Sequence, residues 1–268
     1  MPEPILTPGD LLARFQALDG FLLQHQALWR PRPFHHLQLP WEVELPELAS
    51  WLRSRSLEQA EASDNNPFAL AAPSPFPDLA RQAQTLSLLG KMPDIHSPPR
   101  THALSVDVPG RKLAQIQAFA NHLQFRRRPQ HWLDWCSGKG HLGRWLTEAD
   151  QRLTCLEYDP TLIESGSAMS TRLGLDATHV QQDILADDCK TRLQKEHTPV
   201  ALHACGDLHV RLLQLASRNG CTQLAVAPCC YNRIATLRYQ PLSAAAQASA
   251  CLLYTSDAAD DSLRVDLG

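Results

Sequence analysis

From residue 131 to residue 229 the chain alternates short apolar runs with segments of helical length, and this rhythm restricts the fold more than any other feature. A buried strand is expected at Trp132, Leu133 and Trp135. Further strands are expected at 152–158 (RLTCLEY), 178–185 (THVQQDIL), 199–205 (PVALHAC) and 222–229 (TQLAVAPC). Between them fall a helix opening near His141 and helices expected at 161–173, 187–196 and 207–218. Strands joined by connections of about a dozen residues have room to cross over and pair in parallel. Five such strands with no internal repeat predict an α/β fold built on a doubly wound, Rossmann-like parallel sheet. Ligands in these sheets sit beyond the carboxyl ends of the strands, so chemistry is sought at those five ends.

The first end is the tightest. Residues 131–146 read HWLDWCSGKGHLGRWL, a strand followed by a loop of small residues (Cys136, Ser137, Gly138, Gly140) and then a helix. Glycine lets backbone approach a ligand where a Cβ would collide, and the helix behind it aims free N–H groups into the same space. Alone, such a glycine pattern reads first as a surface turn. The second end adds Glu157, 23 residues past Asp134, with Asp159 just after; a carboxylate there accepts from the hydroxyls of an adenosine ribose. The third end supplies Asp183, placed to accept from an adenine amino group. The fourth supplies His203, Cys205, Gly206 and Asp207, and the fifth Cys229, Cys230, Tyr231 and Asn232. Each acid taken singly is also an ordinary helix cap or loop charge. Together at one edge of one sheet they make a candidate site.

The first 110 residues hold most of the 20 prolines, set between amphipathic segments at 10–29, 46–59 and 78–89. They are expected to form a helical N-terminal domain without recognisable chemistry. His35 and His36 have no acidic or cysteine partner at ligand spacing and read as structural. Another amphipathic helix is expected at 111–128, ending in Arg126, Arg127 and Arg128, which either complement its dipole or offer a patch to phosphates. A net charge of −3 and an isoelectric point near 6.4 give no global basic field, so a nucleic-acid partner needs a local patch of this kind. Eight cysteines behind no charged-then-apolar leader are expected to be reduced thiols in a cytoplasm. No run reaches the roughly 18 to 20 apolar residues of a membrane span, so no membrane partner is expected.

The segments DWCSGKGHLGRWL, LHACGDLH and APCCYN carry a resemblance. Over about residues 111–232 the chain resembles class I S-adenosylmethionine-dependent methyltransferases, whose first motif sets an acid before three alternating glycines. Here the positions are Asp134, Cys136, Gly138 and Gly140, with cysteine in place of the first glycine. More narrowly it is similar to a methyltransferase-like subfamily with a Ser-Gly-Lys-Gly-His loop, a His-x-Cys-Gly-Asp-Leu fourth strand and a Cys-Cys-Tyr fifth. More distantly it is similar to tRNA 2′-O-ribose methyltransferases, although the N-terminal region lacks the zinc-finger cysteines of those enzymes. The resemblance implies S-adenosylmethionine as cofactor. Asp134, Cys136, Ser137, Gly138 and Gly140 then surround its methionine end, Glu157 and Asp159 its ribose, and Asp183 its adenine. His203, Cys205, Asp207, Cys229, Cys230 and Tyr231 fall on the acceptor side. RNA, either tRNA or rRNA, is the acceptor it implies, met through Arg126, Arg127 and Arg128.

Three other readings stay open: a small-molecule methyltransferase capped by Trp29, Trp41 and Trp51, a protein methyltransferase, and a non-catalytic interaction module. A scaffold has no need of Asp134, Gly138, Gly140, Glu157 and Asp183, and a dehydrogenase loop would carry its third glycine elsewhere. If the acceptor must lose a proton, His203 or Asp207 is the candidate base, Asp207 reading equally as a helix N-cap. The cysteines at the fourth and fifth ends admit a nucleophile. Zinc deamination is rejected because the required glutamate and spacing are missing. No metal is expected, since adjacent cysteines chelate less well than the usual two-to-four-residue spacing. The family's sheet continues with two more strands, for which residues 241–250 offer only an alanine-rich helix start. Residues 251–268 resemble the translation of a sequencing-library adapter and are expected to be a non-native tail. The expected organisation is thus 1–110 helical, 111–250 a methyltransferase domain short of its last two strands, and 251–268 tail.

Overall fold

The structure, a computed structural model, describes residues 8–64, 66–88, 102–230, 233–236 and 239–251. The described residues fall into two compact units, one made of 8–88 with 243–251 and the other of 102–242.

The first unit is helical, as its proline-punctuated periodicity predicts. Its helices are α1 (Pro8–Gln24), α2 (Gln26–Trp29), α3 (Pro46–Arg53), α4 (Leu57–Asp64) and α5 (Phe76–Ser87). Pro46 opens α3 in the first turn, where a missing N–H removes no helical hydrogen bond. Glu42, almost fully buried, accepts from the backbone N–H of Leu39 at 2.9 Å and from Arg53 Nε and Nη2 at 2.9 and 2.7 Å. That bidentate pair ties the turn before α3 to the helix's own last turn.

The second unit contains α6 (Gly110–Asn121), β1 (His131–Trp135), α7 (His141–Leu146), β2 (Arg152–Glu157), α8 (Pro160–Arg172), β3 (Ala177–Gln181), β4 (Thr198–Leu202), α9 (Asp207–Arg218) and β5 (Ala225–Ala227). The five strands pair in the order β3-β2-β1-β4-β5 and every pairing is parallel. The doubly wound sheet expected from the alternation is therefore present. Its strand order reverses between β1 and β4, which opens a crevice at their carboxyl ends. β1 is the middle strand and is buried from Trp132 to Trp135, which explains its almost unbroken apolar run. Period two divides its side chains. Leu133 and Trp135 join Leu156, Ala201, Leu212 and Leu215 on one face. Trp132 joins Leu153, Cys155, Val200 and the α6 and α7 residues Ile116, Leu142 and Trp145 on the other.

Several expected elements differ in extent, among them β4, which ends at Leu202 rather than 205, just before the left-handed His203. The helix expected at 111–128 stops at Asn121, because Phe125 leaves the helical path and sets its ring edge-on to Trp132 with centroids 5.6 Å apart. Arg126, Arg127 and Arg128 therefore cap no dipole. The helix expected at 187–196 is a five-residue 3-10 turn, Asp187–Thr191. There Asn219 Nδ2 takes the carbonyl oxygens of Lys190 and Leu193, and the Cys221 thiol takes that of Gln194, where a longer helix would continue its own ladder. Strand β3 ends at Gln181 rather than 185, and β5 is three residues long, closing before Pro228, which has no N–H to give a ladder. Beyond the sheet, α10 (Ala244–Gln247) starts at Ser243, whose Oγ accepts from the N–H of Ala246, and belongs to the first unit. Residues 252–268, including most of the expected tail, lie outside the described residues.

Candidate active site

The loop after β1 is wound by left-handed residues at alternate positions, Cys136, Gly138 and Gly140, with φ of 56, 57 and 76°. Glycine takes that conformation freely, and a Cβ on Gly140 would meet His179 Cε1 at 2.9 Å and Cys155 Sγ at 3.0 Å. Above Gly138 the space is open, with only Lys112 Nζ near, 3.9 Å from where a Cβ would stand. Cys136 pays the left-handed strain of about 1 kcal/mol that a glycine would avoid, and burial pushes its thiol far above the ordinary range. Ser137 is held from its backbone, its N–H donating to Leu156 O at 3.0 Å.

Asp134 stands beneath this loop. Its Oδ2 accepts the N–H of Gly143 at 2.8 Å, and Gly143 has no room for a Cβ against Leu153 and Asp134 itself. Fully enclosed, the carboxyl is pushed up to about 7 by burial. Arg144, also buried, donates to the carbonyl oxygens of Lys139 and Gly166, which fastens the loop to α8; burial pushes its pKa down. Neither Gly143 nor Arg144 is among the expected site residues. A glycine inside a helix was the available signal, since it costs about 1 kcal/mol unless packing needs it.

At the end of β2, Glu157 Oε2 accepts the N–H of Gly138 at 2.7 Å, while Oε1 accepts those of Tyr158 and Asp159 at 2.9 and 3.1 Å. This carboxylate therefore spans from strand to loop. Asp159 is the N-cap of α8: Oδ1 accepts the N–H and hydroxyl of Thr161 at 2.8 and 2.7 Å, and these bonds keep its carboxyl low. Asp183, past β3, accepts the N–H of Leu185 at 2.9 Å through Oδ1.

The fourth and fifth ends are laced together. Gly206, at φ 58°, donates its N–H to Cys230 O at 2.7 Å, and a Cβ there would lie 1.6 Å from the carbonyl oxygen of Arg233. Gly206, not Asp207, is the N-cap of α9; Asp207 is the first helical residue, and its Oδ2 accepts the N–H of Ala235 at 2.7 Å. His203 is left-handed at 65°, and its Nε2 lies 3.1 Å from Oε1 of Gln115. Gln115 and Lys112, one turn apart on α6, thus reach two different parts of the site. Neither was expected to do so. The thiols of Cys205, Cys229 and Cys230 lie within 4.8 Å of one another. Burial works to raise the Cys205 thiol, but hydrogen bonds from Cys229 and Cys230 outweigh it and leave it below the usual range. Bonding to Cys205 and Cys230 pushes Cys229 up to about 11. Tyr231 lies outside the described residues.

Arg126, Arg127 and Arg128 precede β1 and so stand at the opposite, amino end of the sheet. Arg128 is taken up by Glu148 and Asp150 at 2.6 Å. Five residues of strand, about 16 Å, separate this end from the loop. A surface cleft of about 790 Å³ runs along α8 and takes in Gln181 of β3, and none of the expected site residues lines it.

Residues 111–237 match a family model described as a methyltransferase domain. No curated protein matches the chain. Among solved structures it is similar to coclaurine N-methyltransferase bound to N-methylheliamine and SAH, at 15% identity and a TM-score of 0.33, over 81% of this chain and 59% of that one. A protein solved for the conversion of a disulfide bond into a thioacetal group during echinomycin biosynthesis gives 22%, 0.29, 41% and 42%. Precorrin 8w decarboxylase of Methanobacterium thermoautotrophicum gives 16%, 0.30, 48% and 62%. The chain spans less than two thirds of each of these, and at such scores the likenesses carry no argument. The matched residues, 111–237, hold the whole of the five-stranded parallel sheet, so the likeness to a methyltransferase domain and the Rossmann-like α/β fold fall on the same part of the chain.

Proposed function

We propose that the chain is an S-adenosylmethionine-dependent methyltransferase whose site is the carboxyl edge between β1 and β4. The observation that carries this reading is the Glu157 carboxylate at the N–H of Gly138, within a loop that stays open above that glycine. A carboxylate beside a bare backbone cradle suits a nucleoside joined to an amino-acid end, and the Lys112 ammonium over Gly138 suits that end's carboxylate. S-adenosylmethionine supplies an electrophilic methyl group on a sulfonium. The residues of the chain have to bind, orient and take up a proton. The backbone of Cys136, Ser137, Gly138 and Gly140 holds the methionine end with Lys112, and Asp134 keeps that loop in place from below. Glu157 accepts from the ribose hydroxyls and Asp183 from the adenine amino group; Asp159 serves by capping α8. Orientation of this kind is worth about 7 to 11 kcal/mol without covalent help. His203, with Nε2 held by Gln115, is the base for a hydroxyl or amine acceptor, and Asp207 positions the segment 233–235 beside it.

Calorimetric titration tests the reading. The chain is expected to bind S-adenosylmethionine and S-adenosylhomocysteine with Kd on the order of micromolar, near −8 kcal/mol. Glu157→Ala and Lys112→Met should each weaken binding about 10- to 100-fold, the worth of a hydrogen bond to a charged group. A folded chain that binds neither compound overturns the proposal.

RNA is the acceptor class we put first, on the resemblance to tRNA 2′-O-ribose methyltransferases. The arginine cluster lends it no support, since it stands at the other end of the sheet. That placement favours the second reading, a small-molecule acceptor. Filter retention of RNA that falls steeply with salt supports the first, and absence of retention supports the second. A cytoplasmic location belongs to the same proposal and rests on eight free thiols. Among the described residues no helix is long and apolar enough to cross a membrane.

A further inference from the structure

Two strand ends bring three thiols to one level. Leu202 of β4 is in register with Ala227 of β5, and Cys205 and Cys230 each lie three residues beyond their strand's member of that pair. The N–H of Gly206 donates to Cys230 O at 2.7 Å and locks the two ends together. Cys229 adds its thiol from the exposed side, 3.6 Å from that of Cys230. We infer that Cys205, Cys229 and Cys230 form a three-thiolate site for one zinc-class metal ion, with a fourth coordination position open.

The geometry meets what such an ion requires. Zinc–sulfur bonds of about 2.3 Å put the sulfurs of a tetrahedral site about 3.8 Å apart. The Cys229–Cys230 edge is already there at 3.6 Å, and no pair in the trio exceeds 4.8 Å, so closure needs movements of about 1 Å. Adjacent cysteines alone chelate poorly, which is why the sequence argues against a metal. The third ligand comes from a different strand, and only the register of β4 with β5 reveals it. Thiolates select zinc, or cuprous copper, over magnesium and calcium. His203, two residues before Cys205, also has ligand chemistry, but its Nε2 lies 3.1 Å from Oε1 of Gln115. Three protein ligands and an exposed fourth side are the pattern of a site that takes a water or a substrate donor. The ion's arrival displaces the three S–H protons, leaving the complex with one net negative charge.

The inference stands apart from the methyltransferase reading and is tested apart from it. The reduced, chelator-washed chain is titrated anaerobically with Co²⁺. The expected result is one equivalent per chain, a thiolate-to-cobalt charge-transfer band, release of about three protons, and displacement by Zn²⁺. Cys229→Ser, at an exposed position, should weaken Co²⁺ by more than about 100-fold, beyond the 10- to 100-fold loss of a supporting contact. Cys205→Ser should do the same. Cys221→Ser, whose thiol bonds Gln194 O past the end of α9, should leave the band unchanged. A folded chain that binds no Co²⁺, that binds it without the band, or whose band survives Cys229→Ser overturns the site. S-adenosylhomocysteine calorimetry on the same preparation reads the cofactor site alone, so failure of one is distinct from failure of the other.

Discussion

Asp134 shows how far a residue's type can be read and where its surroundings take over. As the acid of the first motif it is legible in the sequence, but its burial is not. Inside the protein it serves the N–H of Gly143, and burial holds its pKa up to about 7 against an ordinary value near 3.9. Between those values the folded state keeps a proton that the unfolded state has lost. Stability therefore falls as pH rises from about 4 to about 7 and levels off above. Asp134→Asn preserves an acceptor for Gly143 and removes the titration. Urea unfolding at pH 5 and pH 7.5 should show wild type losing stability over this interval, by at most about 2.5 kcal/mol, and the variant losing less. Equal slopes for both would refute the account. Glu157 is the opposite case: its position at the end of β2 follows directly from the alternation, and its carboxylate reaches from that strand to the N–H of Gly138 in the loop after β1.

At the scale of elements, glycines separate what geometry demands from what it tolerates. Gly206 joins β4 to α9 with the Arg233 carbonyl pressed against the place a Cβ would occupy. Gly174 follows α8 at φ 65° with nothing within 4 Å. Gly206→Ala should lower stability by about 3 kcal/mol or more, and Gly174→Ala by about 1 kcal/mol, the ordinary left-handed cost. Thermal melts of the two variants check the contrast; similar losses would show that the Arg233 contact is immaterial. The turn at 187–191 is an element the periodicity overstates. Its carbonyls are claimed by Asn219, so Asn219→Ala should cost about 1 to 3 kcal/mol in urea unfolding. That partner is 26 to 29 residues away in sequence, and no local pattern discloses it.

At the scale of the molecule, the two ends of the sheet carry different residues. The carboxyl end gathers Glu157, Asp183, His203 and the three thiols, while the amino end carries the arginines, with Arg128 already ion-paired. Replacing Arg126 and Arg127 together by Gln should leave cofactor affinity and methyl transfer within about twofold, since phosphate contacts that far from the loop position nothing there. A tenfold loss would bring the amino end into the function. Among the described residues both edge strands are short, five residues in β3 and three in β5, and brief edges present few unpaired groups to a second sheet.

The sequence by itself determined the class of fold, the parallel pairing of its strands and the edge where the candidate site residues gather. Period-two burial, helical spacing and a glycine loop are local signals, and each acts within a few residues. Tertiary structure alone decided what those signals leave out. It brought Lys112 and Gln115 of α6 to the candidate site, made Asp159 a cap, set the arginines at the opposite end of the sheet and put Cys205 beside Cys229 and Cys230. All of these depend on which strands are neighbours and in what register, a choice made by burial of the whole core rather than by any one segment.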